Sequence, residues 1–158
     1  ENDITEIYIY YTGHGYKNFW LPIDYPANIN LSDFGINIKE KIIERLKPID
    51  IAAYIISDAC NTIIGNYSNN DILNTSNKNM SDRIAYISSS SDGEISNELK
   101  LKNKWYGIFT YHFVNHLMQL SEINKNTIEN NIRQIDESIK KYLAENKLPQ
   151  GNISVIKY

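Results

Sequence analysis

The 158-residue chain is poor in several features that would mark other classes of protein. It has a single cysteine, which excludes an internal disulfide framework and a multi-cysteine zinc site. Lys and Arg number 16 against 19 Asp and Glu, so there is no basic excess for a nucleic-acid backbone. No apolar run approaches the roughly 20 residues that a membrane span needs. The remaining composition, 42% hydrophobic and 22% charged, is that of one globular domain.

The apolar residues that are present fall into patterns typical of strands and helices. Strands are predicted over four β-branched and aromatic segments, Ile4–Tyr11, Ile49–Ser57, Ile84–Ser88 and Ile153–Tyr158. Helices are predicted from apolar residues at helical spacing over three segments, Ile38–Leu46, Gly107–Leu120 and Ile128–Glu145. The first two strands have no polar face, which favours parallel strands covered by helices on both sides. The predicted class is α/β in three layers.

Two residues with chemical potential follow the first two predicted strands. His14 lies between glycines in a turn signal that ends the first strand, and Cys60, the only cysteine, follows the second. Ligands bind at the carboxyl ends of strands in open α/β sheets, so parallel neighbours would bring these side chains together. A thiol beside an imidazole can be held as thiolate, the nucleophile of acyl transfer. Each residue alone has an ordinary structural interpretation; their joint placement favours catalysis.

The segments around both residues resemble motifs of caspase-like peptidases. Tyr10–Gly15 (YYTGHG) is similar to the aromatic-x-SGHG motif, and Ile55–Cys60 (IISDAC) is similar to the SDSC motif of the metacaspase and paracaspase branch. His14 precedes Cys60 by 46 residues, near the spacing of about 50 in caspases. Weaker likenesses follow in the family's order at Phe19–Asp24, Ser88–Ser90, Glu94, Glu98, Gly107–Thr110 and Gln150.

The resemblance implies a fold and a domain. The fold would be the three-layer α/β/α caspase-like fold, with a mostly parallel sheet and an antiparallel last strand. Residues 1–158 would form the C-terminal two-thirds of such a peptidase domain, and the first two strands of the family's sheet would lie upstream of Glu1. Without them, Ile4–Tyr11 would be a sheet edge, and we expect the 158-residue chain to be poorly soluble or oligomeric.

The resemblance also implies roles for individual residues. Cys60 would be the nucleophile and His14 the general base and acid, and the backbone N–H groups of Gly15 and Cys60 would form the oxyanion hole. Asp58, two residues before the cysteine, would line the S1 pocket together with Thr12 and select Arg or Lys at P1. The implied function is a cysteine-type endopeptidase that cleaves after Arg or Lys through an acyl-enzyme. For Asp58, a turn cap or a partner of Arg83 is the structural alternative.

Departures from the family pattern leave other functions open. Asn61–Ile64 stands where the family usually has a small Ser-Gly pair, so a catalytically silent caspase-like interaction module is the main alternative. A related clostripain-like or CHAT-type peptidase, with the same fold and dyad and another substrate, is a further alternative. His112 and His116 have the H-x3-H spacing of two metal ligands, but ordinary surface roles are favoured and no metal site is predicted.

Cofactors and partners follow from the same interpretation. No cofactor is expected, and the family's calcium site is unsupported because no second acid lies between Gly15 and Asp24. The expected partners are protein or peptide substrates with a basic P1 residue, with neither nucleic acid nor membrane involved. A cytoplasmic location is the expectation.

A long polar segment separates the cysteine strand from the next predicted strand. Residues 65–82 are rich in Asn and Ser and are predicted to be a flexible inter-strand linker. Caspases carry their intersubunit linker at this place. Lys78 lies within the segment and Arg83 follows it, so both are candidate sites of self-cleavage. An ordinary loop that is never cut is an equal alternative.

Overall fold

The long apolar segments pair into one sheet in a computed structural model of the chain. The structure describes residues 4–26, 30–60, 83–90, 94–121, 123, 125–149 and 153–157. In chain order the elements are β1 (Glu6–Tyr16), β2 (Phe19–Leu21), α1 (Leu31–Phe34), β3 (Ile36–Asn37), a π-helical turn (Lys39–Ile43), α2 (Glu44–Leu46), β4 (Ala52–Ala59), β5 (Ile84–Ser88), β6 (Glu98–Leu101), β7 (Lys104–Gly107), α3 (Ile108–Leu117), α4 (Lys125–Glu145) and β8 (Ser154–Lys157).

Six of these strands form one mixed sheet in the order β3-β2-β1-β4-β5-β8. The three long neighbours β1, β4 and β5 are parallel, and β8 is antiparallel to β5, as predicted for the last strand. The short strands β2 and β3 extend the other edge in antiparallel pairing, so the parallel part is the centre of the sheet rather than most of its strands. The predicted α/β class is confirmed.

Helices cover both faces of the sheet. On one face, α3 and α4 pack on Ile56 and Ile87. On the other face, Ile55 packs against Ile43, the last residue of the π-helical turn, and against Ile38, the residue directly before the turn. Because successive residues of a strand point to opposite faces, β4 supplies both cores, and its residues from Ala53 to Ala59 are all buried. This is the three-layer arrangement that a strand without a polar face predicts.

The end of β1 differs from the prediction. The Gly-rich segment after Tyr11 was expected to be a turn, but β1 continues to Tyr16. The chain reverses instead at Lys17 and Asn18, whose φ angles of 49° and 62° suit a two-residue hairpin loop. His14 therefore lies in the strand, paired with Leu21 of β2.

A second hairpin, β6–β7, was not predicted from the sequence. Its loop has the same Lys-Asn dipeptide, here Lys102 and Asn103, again with positive φ angles of 47° and 66°. Asparagine tolerates this conformation, but a Lys-Asn pair is a weaker turn signal than Asn-Gly. The strands are four residues each and have mostly exposed side chains, so alternation gave little indication of them.

The predicted helices are present with altered bounds. The segment expected to be helical from Ile38 forms the π-helical turn and α2. The predictions for the two later helices are matched by α3 and α4. The predicted linker, residues 65–82, lies outside the described residues, as does Lys78. No helix in the part of the chain that the structure describes is long and apolar enough to cross a bilayer.

The outer edge of β1 is open over most of its length. Residues 6–13 pair with β4 on one side, whereas β2 pairs only with His14, Gly15 and Tyr16 on the other. In the described ranges no strand covers the remainder of that edge. Tyr8 and Tyr10 on this strand are 42% and 46% exposed.

His112 joins α3 to α4. Its Nδ1 lies 3.0 Å from Ser138 Oγ, and its ring meets the Tyr111 and Tyr142 rings edge-on. Nε2 is buried and has no hydrogen-bond partner among the described residues. Burial lowers the pKa of His112, because the charged ring would lose hydration there.

This environment predicts acid sensitivity of the fold. The folded pKa of His112 lies below the unfolded value of about 6.5. Below about pH 6.5 the unfolded chain therefore binds a proton at His112 more readily than the folded chain does. The free energy of unfolding consequently decreases as the pH is lowered. We expect His112→Gln to lose less stability than the parent between about pH 7 and pH 5.5, measured by urea unfolding. His116→Gln is the control that retains His112, and an equal acid loss in parent and His112→Gln would contradict the assignment.

Candidate active site

His14 and Cys60 lie next to each other where the pairing of the parallel strands β1 and β4 ends. The last register pair of β1 and β4 is Gly13 opposite Ala59, and the next residues along the chain are His14, still in β1, and Cys60, directly after β4. Neighbouring strands lie about 4.8 Å apart, and residues in matching register share a face. The two residues thus lie side by side at the carboxyl ends, on the face covered by α3 and α4. His14 is exposed and Cys60 is half-buried.

Gly15 lies against the backbone of the cysteine. A Cβ at this position would be 2.4 Å from the Cys60 carbonyl oxygen and 2.9 Å from the Ala59 Cβ. Only glycine lets the two backbones come this close. The two residues expected to supply oxyanion-hole N–H groups are therefore neighbours in space.

The Tyr11 side chain contacts the backbone of His14. Its hydroxyl, which has a single proton to donate, lies 2.8 Å from the His14 carbonyl oxygen and 2.7 Å from that of Leu21. Its ring stacks on Trp20 at 4.5 Å, and Trp20 Nε1 donates to Ser57 Oγ at 2.9 Å. Burial raises the pKa of Tyr11, so the phenol keeps its proton as a donor. The sequence motif contains this tyrosine, but its contact with the histidine required the structure.

Three serines surround the end of the cysteine strand. Ser89 Oγ and Ser90 Oγ donate to the Ala59 carbonyl oxygen at 3.4 and 2.9 Å. Ser96 approaches Cys60 itself: its backbone nitrogen is 3.4 Å from Sγ, and its carbonyl oxygen is 3.8 Å from Sγ. Of the three, only Ser96 thus contacts the cysteine side chain, whereas Ser89 and Ser90 hold the backbone carbonyl before it.

Asp58 is buried, with 4% of its surface exposed, and both oxygens are hydrogen-bonded. Oδ1 accepts from Ser96 Oγ at 2.6 Å. Oδ2 accepts from the Thr110 backbone N–H at 3.0 Å and from the Thr110 hydroxyl. Thr110 is the third residue of α3 after the N-cap Gly107, so the carboxylate caps the helix from another element and meets the positive end of its dipole.

These contacts bear on the roles expected for Asp58. The alternative pairing with Arg83 is wrong, because Arg83 forms an ion pair with Asp50. The other alternative is a turn cap. The Asp58 carboxylate does act as a cap, but it caps the start of helix α3 and not a turn. Three acceptor positions are in use, and a carboxylate has about four, so Oδ1 can accept one further donor. Thr12, its register partner on β1, is exposed.

The remaining candidate residues lie away from this centre. The Arg83 carbonyl oxygen accepts from Ala53 N at 2.8 Å, so cleavage after Arg83 would disturb pairing at the start of β5. His112 and His116 contact different residues of α4, Ser138 and Asn131, rather than converging on one point. Within the described ranges, no three His, Cys, Asp or Glu residues are grouped as metal ligands would be.

No protein-family model matches the chain, and no curated protein matches it in sequence. The likeness to caspase-like peptidases accordingly depends on the sequence motifs alone.

The contact between Gly107 and Asp58 gives a sharp test of the site's construction. A Cβ at Gly107 would be 1.9 Å from Asp58 Oδ2, although φ at Gly107 is an ordinary −59°. We expect Gly107→Ala to lower the free energy of unfolding by about 2–4 kcal/mol, through overpacking and loss of the helix cap. Urea unfolding measures this. Lys104→Ala, at the exposed start of β7, is the control, and equal stability of the two variants would contradict the contact.

Proposed function

We propose that this chain is a caspase-like cysteine endopeptidase domain that cleaves proteins or peptides after Arg or Lys. The observation that carries the proposal is the position of His14 and Cys60, each directly after the last register pair of the adjacent parallel strands β1 and β4, Gly13 opposite Ala59. An imidazole and the chain's only thiol then share one face of the sheet, at the edge where α/β proteins bind ligands. The caspase-like motifs around both residues agree with that placement.

The geometry supports acyl transfer in two steps. His14 removes the proton from the Cys60 thiol, and the thiolate attacks the carbonyl carbon of the scissile bond. The N–H groups of Gly15 and Cys60 stabilise the negative oxygen of the tetrahedral intermediate. His14 then protonates the leaving amine as the C–N bond breaks, which leaves a thioester on Cys60. Water, deprotonated by His14, hydrolyses the thioester and restores the thiol. Neither step requires a metal or a cofactor.

The charge of Asp58 supports a basic P1 residue. The carboxylate lies two residues before the nucleophile on the same face of β4. Its remaining acceptor position on Oδ1 suits a guanidinium or ammonium donor, and such charge-assisted bonds are strong when desolvated. Thr12 lies opposite Asp58 in the register and is exposed, so its hydroxyl is available to the same substrate group.

One observation favours the alternative of a silent interaction module. Asp58 is buried and already accepts three hydrogen bonds, so capping α3 accounts for its charge without any substrate. In that alternative the domain would bind a partner protein and turn over nothing. A clostripain-like or CHAT-type peptidase would keep the dyad and differ in its substrate.

Loss of either dyad member is expected to stop turnover. Cys60→Ala should abolish cleavage of fluorogenic peptides with Arg at P1, and His14→Ala should reduce it almost as far, because the two groups act as a unit. His116→Ala is the matched control, since its ring contacts Asn131 of α4. An arginine-directed acyloxymethyl ketone should add to the parent chain and not to Cys60→Ala, as read by intact mass. A parent chain that neither cleaves nor labels would favour the silent module.

Asp58→Asn tests the choice of P1 residue. The amide keeps the shape and removes the charge, so a P1 arginine would lose about 2–4 kcal/mol of transition-state binding. Neutral P1 substrates should lose much less, and the ratio of the two kcat/KM values separates this from a general loss of fold. Thr110→Val is the control, because it removes one hydrogen bond to Asp58 and leaves the charge. An unchanged ratio in Asp58→Asn would contradict the S1 role, and a parental preference for Asp at P1 would overturn the proposed substrate class.

A further inference from the structure

Ser96 contacts two side chains at the end of β4, the carboxylate of Asp58 and the thiol of Cys60. Its Oγ donates to Asp58 Oδ1 at 2.6 Å, and its backbone nitrogen lies 3.4 Å from Cys60 Sγ. Asp58 and Cys60 are two residues apart on one strand, so their side chains share a face and one residue can span them. Ser96 comes from the segment before β6, far along the chain from both.

The hydrogen bond from Ser96 Oγ to Asp58 is stronger than the contact between the Ser96 backbone nitrogen and Cys60 Sγ. The bond to Asp58 joins a hydroxyl to a buried carboxylate, and bonds to an ionised acceptor are short and strong. The carboxylate is in turn held by the Thr110 N–H and hydroxyl at the start of α3. The next residue, Asn97, accepts a hydrogen bond from Ile108 N at 2.9 Å. The backbone of Ser96 is therefore fixed on two sides by α3 and its cap.

The backbone of Ser96 offers a partner to either protonation state of the cysteine. Its N–H can donate to a thiolate, and its carbonyl oxygen, 3.8 Å from Sγ, can accept the thiol proton. A hydrogen bond to the charged form favours that form. An N–H held in place on Sγ can thus donate to the thiolate, the reactive species, once His14 has taken the proton.

We propose that Ser96 is a positioning residue for Cys60: its hydroxyl, anchored on Asp58, holds its backbone N–H on the sulfur and thereby raises the reactivity of the nucleophile. The inference rests on the proposed function and adds to it. Asp58 then has two tasks, since the carboxylate that would receive the P1 side chain also sets the position of the group that activates the cysteine. Substrate binding and nucleophile reactivity are linked through one serine.

The test compares three serine variants of the 158-residue chain. Ser96→Ala removes the anchoring hydroxyl, Ser96→Thr keeps a hydroxyl, and Ser89→Ala is the matched control, because Ser89 Oγ contacts the Ala59 carbonyl and neither Cys60 nor Asp58. The first readout is the rate of alkylation by iodoacetamide as a function of pH. Because Cys60 is the only cysteine, alkylation reports on it alone. The second readout is kcat and KM on an Arg-P1 peptide.

We expect Ser96→Ala to slow alkylation at pH 7 about tenfold, because the N–H is no longer held on the sulfur. The kcat should fall to a similar extent, with KM within about twofold of the parent. Ser96→Thr and Ser89→Ala should behave like the parent in both readouts. Parent-like alkylation in Ser96→Ala would overturn the inference, as would an equal slowing in Ser89→Ala.

The two proposals can fail separately. If the parent cleaves Arg peptides and Ser96→Ala leaves alkylation and kcat unchanged, the positioning role is wrong and the peptidase proposal stands. If the parent cleaves nothing but Ser96→Ala alone slows alkylation, the positioning role stands and the peptidase proposal is wrong. If Ser96→Ala does not fold by circular dichroism, Ser96→Gly is measured in the same way, and parent-like alkylation in that variant overturns the inference.

Discussion

The carboxylate of Asp58 at the start of α3 is the interaction on which the rest of this region depends. A buried charge is costly unless several donors satisfy it, and here a hydroxyl from the segment before β6 and two groups of Thr110 do so. The carboxylate therefore links the end of β4, the segment that touches the cysteine and the helix that covers that face of the sheet. Position 107 must consequently be glycine, because the Cβ of any larger residue would overlap Asp58 Oδ2.

His14 and Cys60, the proposed dyad, are supported from opposite sides of the sheet. The carbonyl of His14 is held by Tyr11, whose ring packs with Trp20 against the core under the π-helical turn. Cys60 is approached by Ser96 on the face of α3 and α4. The geometry of the pair thus depends on both hydrophobic layers, and disturbance of either core should reach the site.

Much of this architecture could be predicted from the sequence, for specific physical reasons. Strands without a polar face predicted a sheet covered on both sides, and β4 is buried in that way. The positions of His14 and Cys60 after the first two predicted strands predicted neighbouring sites, and these two strands are parallel neighbours. What the sequence could not give is the surroundings of Asp58, since Ser96 and Thr110 are 38 and 52 residues away from it. The short hairpins were missed because their Lys-Asn loops and exposed side chains resemble ordinary polar sequence.

The packing of Trp20 gives the domain an optical reporter of its own site. The chain has two tryptophans, one 5% exposed beneath the histidine and one, Trp105, 64% exposed on the β6–β7 hairpin. Indole emission shifts to shorter wavelength when water is excluded, and a dissolved quencher reaches only the accessible ring. The blue, unquenched component of the fluorescence therefore belongs to the indole that stacks on Tyr11 and hydrogen-bonds to Ser57. Its intensity and wavelength follow the packing that holds His14 in place, without any label on the chain.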